Sequence, residues 1–140
     1  MFELHPQLAA DCLHVGDFDL CRLLLVGDSR YPWFILVPRR PGISEIYELC
    51  GNDQQALIAE SSRLAERLAE AFKPDKLNIA AIGNVVPQLH LHHVARFVGD
   101  AAWPGPIWGR LPPVPYEPSQ REGVIGRLDA PSLDGFRPVS

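Results

Sequence analysis

The sequence lacks any apolar run long enough to cross a membrane. A membrane-spanning helix needs about 18 or more apolar residues in succession, and no run in this 140-residue chain approaches that length. The N-terminus also lacks the charged and apolar regions of a signal peptide. Cysteine is scarce: Cys12, Cys21 and Cys50 form no C-x-x-C pair, which predicts free thiols in a reducing compartment. We therefore expect a cytoplasmic protein.

A strong charge of one sign is absent too. The formal net charge of −4 gives no reason to expect a nucleic-acid polymer as a partner. The sequence contains no glycine-rich Walker loop, no G-x-S-x-G elbow and no internal repeat. Its composition, with 46% hydrophobic and 21% charged residues, is ordinary for a globular domain that buries its own core.

The spacing of apolar residues predicts an α+β domain. Apolar runs over 20–26 and 33–37, separated by turn-forming residues, are typical of an antiparallel β-hairpin. A helix is predicted over 54–72, where apolar residues recur every three or four positions and Asp53 can cap the first turn. Another strand is predicted over 76–82. The charged residues between the apolar positions of the helix are expected to face solvent: Glu60, Arg63, Glu66, Arg67 and Glu70.

Proline is concentrated at the C-terminal end of the chain. Eight of the 14 prolines follow Trp103, and hydrophobic periodicity is lost there. We expect a main domain over residues 1–110 and a proline-rich extension over 111–140 that packs on this domain or is partly mobile. The aromatic stretch from Trp103 to Gly109 is expected to pack on the domain or at a subunit boundary.

Three of the five histidines lie within four residues, in the stretch Gln88-Leu89-His90-Leu91-His92-His93-Val94. Polar and apolar residues alternate here, which predicts a β-strand with Gln88, His90 and His92 on one face. His93 would then point to the opposite face. Residues two apart on a strand lie about 6.6 Å from each other. Two imidazoles and one amide can therefore converge on a small, oxygen-rich group such as a phosphate.

Two other interpretations of this stretch stay open. Histidine clusters bind metals, so His90, His92 and His93 could form a zinc-binding module. The stretch contains no Cys, Asp or Glu to complete a tetrahedral site, and strand alternation brings only two histidines to one face. The three histidines could also be structural. Phosphate chemistry is the interpretation that we favour.

The same stretch resembles the histidine triad (HIT) motif, in which three histidines alternate with hydrophobic residues. Gly83-Asn84 before it and Arg96 after it also fit this family, and the resemblance covers roughly residues 1–110. It implies an antiparallel sheet of about five strands with one long and one short helix, and a two-fold homodimer. The first triad position holds Gln88 instead of histidine, which departs from the family pattern.

The resemblance implies nucleotide hydrolysis or nucleotidyl transfer at an α-phosphate. His90 falls at the position of the nucleophile, and His92 at the position that holds or protonates phosphate oxygens. The implied substrates are dinucleoside polyphosphates, phosphoramidates or adenylates, with neither cofactor nor metal. Because Gln88 cannot transfer a proton near pH 7, a nucleotide-binding protein with weak or lost catalysis is the alternative.

The resemblance also suggests four substrate-binding residues. Asp28, at the tip of the hairpin, would bind the ribose hydroxyls, unless it only closes the turn. Asn84 would contact the phosphate, with Asn78 as a second candidate that could instead serve only as a strand-end hydrogen-bonding partner. Arg96 lies on the same strand face as His92 and would either bind an anion or cap the strand.

Overall fold

The structure, a computed structural model, describes residues 1–139. It contains three α-helices, six β-strands and two short 3₁₀ turns at Ile46–Glu48 and Ala130–Ser132. The helices are α1 (Pro6–Asp11), α2 (Gly51–Phe72) and α3 (Pro118–Leu128). The strands are β1 (Cys12–Asp17), β2 (Cys21–Val26), β3 (Trp33–Pro38), β4 (Lys76–Ala80), β5 (Leu91–Arg96) and β6 (Arg137–Pro138).

The six strands form one sheet in the order β4-β5-β3-β2-β1-β6. Every neighbouring pair is antiparallel, so the predicted α+β fold with an antiparallel sheet is confirmed. The sheet has six strands where about five were expected. The predicted hairpin is formed by β2 and β3, and β5 pairs with both β3 and β4. The histidine-bearing strand therefore lies inside the sheet, where neighbours on both sides fix its position.

Alternation along β3 divides the core between the two faces of the sheet. Phe34 and Leu36 belong to the larger cluster, which also contains Leu57 and Leu64 of helix α2. Ile35 and the other residues of opposite parity face a smaller cluster with Leu8 of helix α1. Helix α2 thus covers one face, while α1 and the loop before β5 cover part of the other. The three neighbouring histidines lie in and next to the sheet, between the two core clusters.

Helix α2 differs from its prediction in two details. It begins at Gly51, and Asp53 does not cap it but lies in its first turn and pairs with the exposed Arg40. Glu60 was expected to face solvent and is only 2% exposed. Its carboxylate accepts hydrogen bonds of 2.9 Å from the backbone N–H groups of Leu20 and Cys21. Those N–H groups need an acceptor in the buried interior, which explains why the prediction was wrong.

The segment after residue 110 packs on the domain through two elements that the sequence did not predict. Helix α3 brings Leu128 into the large core cluster, and Phe136 joins the same cluster shortly before β6. Strand β6 pairs with β1, with Pro138 opposite Gly16. A Cβ atom at Gly16 would overlap the Phe136 ring and crowd the Arg137 carbonyl oxygen, so the strands approach closely because this residue is glycine. No helix within residues 1–139 is long and apolar enough to span a bilayer.

Candidate active site

A cavity of about 540 Å³ opens on the sheet face that α1 partly covers. Most of its surface is apolar, and its walls come from β3, from the loop between β4 and β5, and from the segment after residue 100. The residues that matter for the argument are Trp33, Ile35, Asn84, His90, His92 and Trp108. The structure thus brings together three of the seven predicted site residues, namely His90, His92 and Asn84.

His90 lies immediately before β5, which starts at Leu91. Its Nδ1 atom is 2.7 Å from the backbone carbonyl oxygen of Gln88. A carbonyl oxygen only accepts, so Nδ1 carries the proton and donates it to this bond. In the neutral ring the lone pair is then on Nε2, which has no hydrogen-bond partner among residues 1–139. His90 therefore presents an unprotonated nitrogen at the cavity.

His92 has the opposite arrangement of ring nitrogens. The indole Nε1–H of Trp33 donates to His92 Nδ1 over 3.0 Å. Because indole nitrogen can only donate, Nδ1 carries the lone pair and the proton of the neutral ring is on Nε2. The ring centroid of His92 is 4.9 Å from that of His90 and 5.3 Å from that of Trp108. One lone pair and one N–H group are thus available side by side.

The surroundings keep His92 neutral. Burial lowers the pKa of His92 to about 3, and repulsion from the charge that His90 and His93 can carry contributes to the shift. Cys12, which also lines the cavity, does not supply a competing thiolate. Burial and the neighbouring Asp11 raise the pKa of the Cys12 thiol to about 12.

His93 points away from the cavity, as the alternation of the strand predicts. It is fully buried between the sheet and helix α2. Its Nδ1 atom donates to the carbonyl of Leu91 over 3.0 Å, and its Nε2 atom is 2.7 Å from the Ser61 hydroxyl. His93 therefore cannot join His90 and His92 around one metal ion. Within the described part of the chain, no three His, Cys, Asp or Glu side chains are grouped closely enough to hold a metal.

The predicted convergence of the Gln88 amide with the two imidazoles is wrong. Because β5 begins only at Leu91, Gln88 lies in irregular backbone where strand alternation does not apply. Its Oε1 atom accepts from the backbone N–H of His5 over 2.8 Å, and its Nε2 atom donates to the carbonyl of Glu3 over 2.9 Å. The side chain therefore ties down the N-terminal segment, and only the main-chain carbonyl of Gln88 contacts His90.

Asp28 closes the turn between β2 and β3 and does not line the cavity. Its carboxylate accepts two hydrogen bonds from the Arg30 guanidinium, at 3.0 and 2.7 Å, and one from the backbone N–H of Val114. Burial alone would raise the pKa of Asp28, but the hydrogen bonds from Arg30 and Val114 outweigh it and hold the pKa below its ordinary value. The structure therefore supports the turn-closing role of Asp28, and the ribose contact stays a prediction.

Arg96 and Asn78 bind each other instead of facing the cavity. Arg96 is 1% exposed, and its guanidinium donates two hydrogen bonds of 2.8 Å to Asp100 and one of 2.8 Å to Asn78 Oδ1. The same guanidinium lies over the ring of Tyr31 and over the ring of Trp103. Neither Arg96 nor Asn78 lines the cavity, so the structure favours the structural role for both, and anion binding by Arg96 and the phosphate contact of Asn78 stay predictions. The cluster anchors the segment that carries Trp108 to the cavity wall.

A smaller cavity of about 70 Å³ lies against His90 as well, lined by Ser44, Glu45 and Gln88 among others. Of the seven predicted site residues, all within the described part of the chain, His90 alone borders both cavities. Two aromatic residues that line the larger cavity beside His92, Trp33 and Trp108, were not among the predicted site residues. Trp33 could have been found from its position two residues before Ile35, on the strand face that meets His92. For Trp108, the aromatic composition of residues 103–109 was the available signal.

Comparisons with known proteins support the family and the fold. A family model described as the HIT domain matches residues 7–99. The chain is similar to a histidine triad protein from Marinobacter aquaeolei VT8, with 55% identity over 92% of this chain and 94% of that one and a TM-score of 0.90. Histidine triad proteins from Bradyrhizobium japonicum and Sinorhizobium meliloti 1021 are 46% and 40% identical. Both cover 91% of this chain and 95% of their own, with TM-scores of 0.89.

The sequence has no significant match among curated proteins. The fold and the paired histidines define a histidine triad type of protein, and the matches extend over most of the chain. The chain belongs to the HIT domain family. Members of this family generally bind nucleotides and act as nucleotide hydrolases or transferases.

Proposed function

We propose that the protein hydrolyses or transfers a nucleotidyl group at the α-phosphorus of a nucleoside phosphate derivative, with His90 as the nucleophile. The observation that carries this proposal is the pair of opposite tautomers at one cavity. His90 offers a lone pair on Nε2, and His92, with its ring centroid 4.9 Å away, offers an N–H group. A phosphoryl group needs both, because one nitrogen must attack phosphorus while charge on the oxygens is stabilised.

The chemistry takes two displacements. The Nε2 lone pair of His90 forms a bond to the α-phosphorus, and the bond from phosphorus to the leaving group breaks with its electron pair going to that group. A leaving group that departs as an amine takes up a proton from solvent. The imidazole is then positively charged, and its Nδ1–H remains bonded to the carbonyl of Gln88, which partly offsets the charge. Water next attacks phosphorus, the N–P bond breaks, and a proton is released. The products are a nucleoside monophosphate and neutral His90.

The cavities suggest where the parts of the substrate bind. A volume of about 540 Å³ lies within the range of roughly 300–1,000 Å³ that is typical of small-molecule sites. Its apolar walls, with Trp33 and Trp108, suit a nucleoside, and Asn84 at its edge can donate to a phosphate oxygen. The leaving group would then extend towards the smaller cavity beside His90. Dinucleoside polyphosphates, phosphoramidates and adenylates all fit this scheme.

Trapping the covalent intermediate tests the proposal. The protein is mixed with a nucleoside phosphoramidate or dinucleoside polyphosphate that carries a radiolabelled α-phosphate, and the reaction is stopped within its first turnover. We expect label on the protein, stable to base and labile to acid as a phosphorus–nitrogen bond is. Peptide mapping should place it on His90. Turnover without any labelled protein, or label on another residue, would overturn the assignment.

A second candidate function is nucleotide binding with weak or lost catalysis. The observation that favours it is Gln88, whose amide is held by the N-terminal segment and cannot transfer a proton. Calorimetric titration with adenosine and guanosine monophosphates tests whether the protein binds a nucleotide, which both candidate functions require. Binding without label on His90 would support this second candidate. No binding of either nucleotide at millimolar concentration would contradict both.

We also propose a two-fold homodimer, as the resemblance to the family implies. Strand β4 is at one edge of the sheet, and Ile79 on this strand is 48% exposed. An exposed edge with an apolar residue is suited to pairing with a second copy. Light scattering on the purified protein tests this, and a monomer at micromolar concentration would contradict it.

A further inference from the structure

Trp33 makes a specific polar contact with the candidate site. It is the first residue of β3, and the next residue of this strand on the same face, Ile35, lies directly opposite His92 in β5. Its indole Nε1–H reaches His92 Nδ1 at 3.0 Å. Indole is a donor with no acceptor atom, so this hydrogen bond forms with only one of the two neutral tautomers of His92.

We propose that Trp33 is a positioning residue that fixes His92 in the tautomer with its proton on Nε2. His92 then serves as a hydrogen-bond donor to a phosphoryl oxygen and does not act as a general acid. This inference rests on the proposed nucleotidyl transfer for its catalytic meaning. The tautomer itself can be measured without any substrate.

The geometry excludes a general-acid role for His92 for two reasons. Protonation of His92 at Nδ1 would place its new N–H group against the indole N–H of Trp33, with two donors facing each other over 3.0 Å. Loss of the Nε2 proton from neutral His92 would leave an imidazolate, which is far too basic to form near pH 7. His92 can thus neither gain nor give a proton easily while Trp33 holds it.

The groups around His92 reinforce this restriction. The titratable side chains that face the ring or share its cavity are His90, Cys12 and Asp11, and His93 lies beyond the neighbouring peptide. Within the described residues, His92 has no hydrogen bond to a carboxylate that would favour its charged form. Trp108 packs edge-on against it and contributes no hydrogen bond to the ring. Trp33 is therefore the contact that selects the tautomer.

Nitrogen NMR of the imidazole rings tests the proposal directly. Chemical shifts of the two ring nitrogens distinguish a protonated from an unprotonated nitrogen, and they can be followed for His92 between about pH 5.5 and 8.5. We expect one tautomer in the wild type, with the proton on Nε2 throughout. A wild-type spectrum with the proton on Nδ1, or with both tautomers mixed, would overturn the inference without any variant.

Two variants separate the hydrogen bond from simple packing. Trp33→Phe keeps an aromatic ring but removes the N–H group, so His92 should become a mixture of tautomers and should take up a proton at higher pH. Trp108→Phe is the matched control, because it alters a ring in contact with His92 without touching this hydrogen bond. His92 should keep a single tautomer in the control. The same single tautomer in folded Trp33→Phe would show that Trp33 does not select it.

Kinetics distinguish this inference from the proposed function. In Trp33→Phe, kcat should fall by about 5- to 10-fold, as expected for one weakened hydrogen bond, and the acid side of the pH–rate profile should move to higher pH. If the wild type forms no labelled His90 yet the NMR result holds, the proposed chemistry fails and Trp33 still positions His92. If label forms and the tautomer is unaffected by Trp33→Phe, the inference fails alone.

Discussion

The hydroxyl of Ser61 donates a 2.7 Å hydrogen bond to Nε2 of His93 and so connects helix α2 with strand β5 in the buried core. Its direction is fixed because the other ring nitrogen, Nδ1, donates to the carbonyl of Leu91. This direction holds for the neutral imidazole, which burial favours. Burial lowers the pKa of His93 to about 4, although the hydrogen bond to Leu91 opposes the shift. His93 therefore belongs to the scaffold.

This depressed pKa predicts that stability falls in mild acid. The unfolded chain protonates His93 near its ordinary pKa of 6.5, whereas the folded chain does so only near 4. Between these values the unfolded state binds more protons, so the free energy of unfolding decreases as pH falls. The loss from His93 alone is on the order of 2–3 kcal/mol by pH 4. Urea denaturation at several pH values between 7.5 and 4.5 measures it.

Variants assign this pH dependence to a residue. His93→Gln should be less stable than the wild type at pH 7, because it disturbs the contact with Ser61, but its stability should depend less on pH. His14→Gln is the control, because His14 is partly exposed and pairs with Asp17 at the surface. An unchanged pH dependence in His93→Gln would contradict the prediction.

Breaking the buried ion pair of Arg96 should be costly. Arg96→Met leaves the Asp100 carboxylate, whose side chain is only 7% exposed, without its partner. We expect a loss of about 3–5 kcal/mol in the free energy of unfolding. The matched control is Arg40→Met, which breaks a pair with Asp53 in which Arg40 is 45% exposed and should cost less than about 1 kcal/mol. Equal losses in the two variants would contradict the assignment of Arg96 as a structural anchor.

The elements that depend on local periodicity could be predicted from the sequence. The hairpin of β2 and β3 and the apolar stripe of α2 follow from residues that are near each other in the chain. Helix α3 and strand β6 were missed because they pack on parts of the chain that are distant in the sequence. Strand β1 pairs with the next strand, β2, but an irregularity between His14 and Gly16 interrupts its alternation. Phe136 contacts Phe18, 118 positions earlier, and no local pattern announces such a contact.

In the candidate site, too, features set by local spacing were predicted and features set by distant contacts were not. His90 and His92 were placed together because their two-residue spacing survives the irregular backbone before β5. Asp28 and Arg96 lie outside the cavity lining, and each has a partner distant in the sequence, Val114 and Asn78 respectively. Trp33 was missed for a related reason, because its contact with His92 joins two strands, β3 and β5, that are far apart in the sequence.

A zinc site formed by the three histidines would require all three rings to face the same side of the sheet. Because His93 is fully buried on the α2 side, only His90 and His92 could contribute ligands at the cavity, and two imidazoles bind zinc weakly. Elemental analysis of protein purified without added metal should therefore find far less than one zinc per chain. Stoichiometric zinc, lost together with the fold after chelation, would favour the metal-binding interpretation.

Replacing the side chain of Gln88 should loosen the N-terminal segment. Gln88→Ala removes the hydrogen bonds to the backbone of His5 and Glu3 and leaves the main-chain carbonyl that His90 uses. We expect faster amide exchange at His5 and a loss of about 1–2 kcal/mol in the free energy of unfolding. Gln7→Ala, which removes an exposed contact with Asp11, is the control. A loss of turnover by orders of magnitude at unchanged stability would show instead that the amide takes part in the chemistry.

Replacing His90 should separate binding from turnover. His90→Asn has less bulk and keeps an amide N–H that can still donate near the Gln88 carbonyl, but it removes the attacking nitrogen. Binding of a nucleoside monophosphate should weaken by only about 1–2 kcal/mol, the range for one altered hydrogen bond. Turnover of a phosphoramidate or dinucleoside polyphosphate should fall by several orders of magnitude, because the covalent route is lost. Calorimetry and single-turnover kinetics on the same preparation measure the two effects.

The neighbouring histidines supply the comparison that makes this result decisive. His92→Asn leaves the nucleophile in place and removes only an N–H donor, so its rate should fall less than that of His90→Asn. His93→Asn alters a ring that contacts Ser61 on the other face of the sheet, so it should lower stability while the rate of the folded protein barely changes. The loss of rate should therefore be largest for His90→Asn, smaller for His92→Asn and smallest for His93→Asn. If His90→Asn kept wild-type turnover, or if His93 were the most sensitive position, the nucleophile would lie elsewhere and the two-displacement chemistry would not hold.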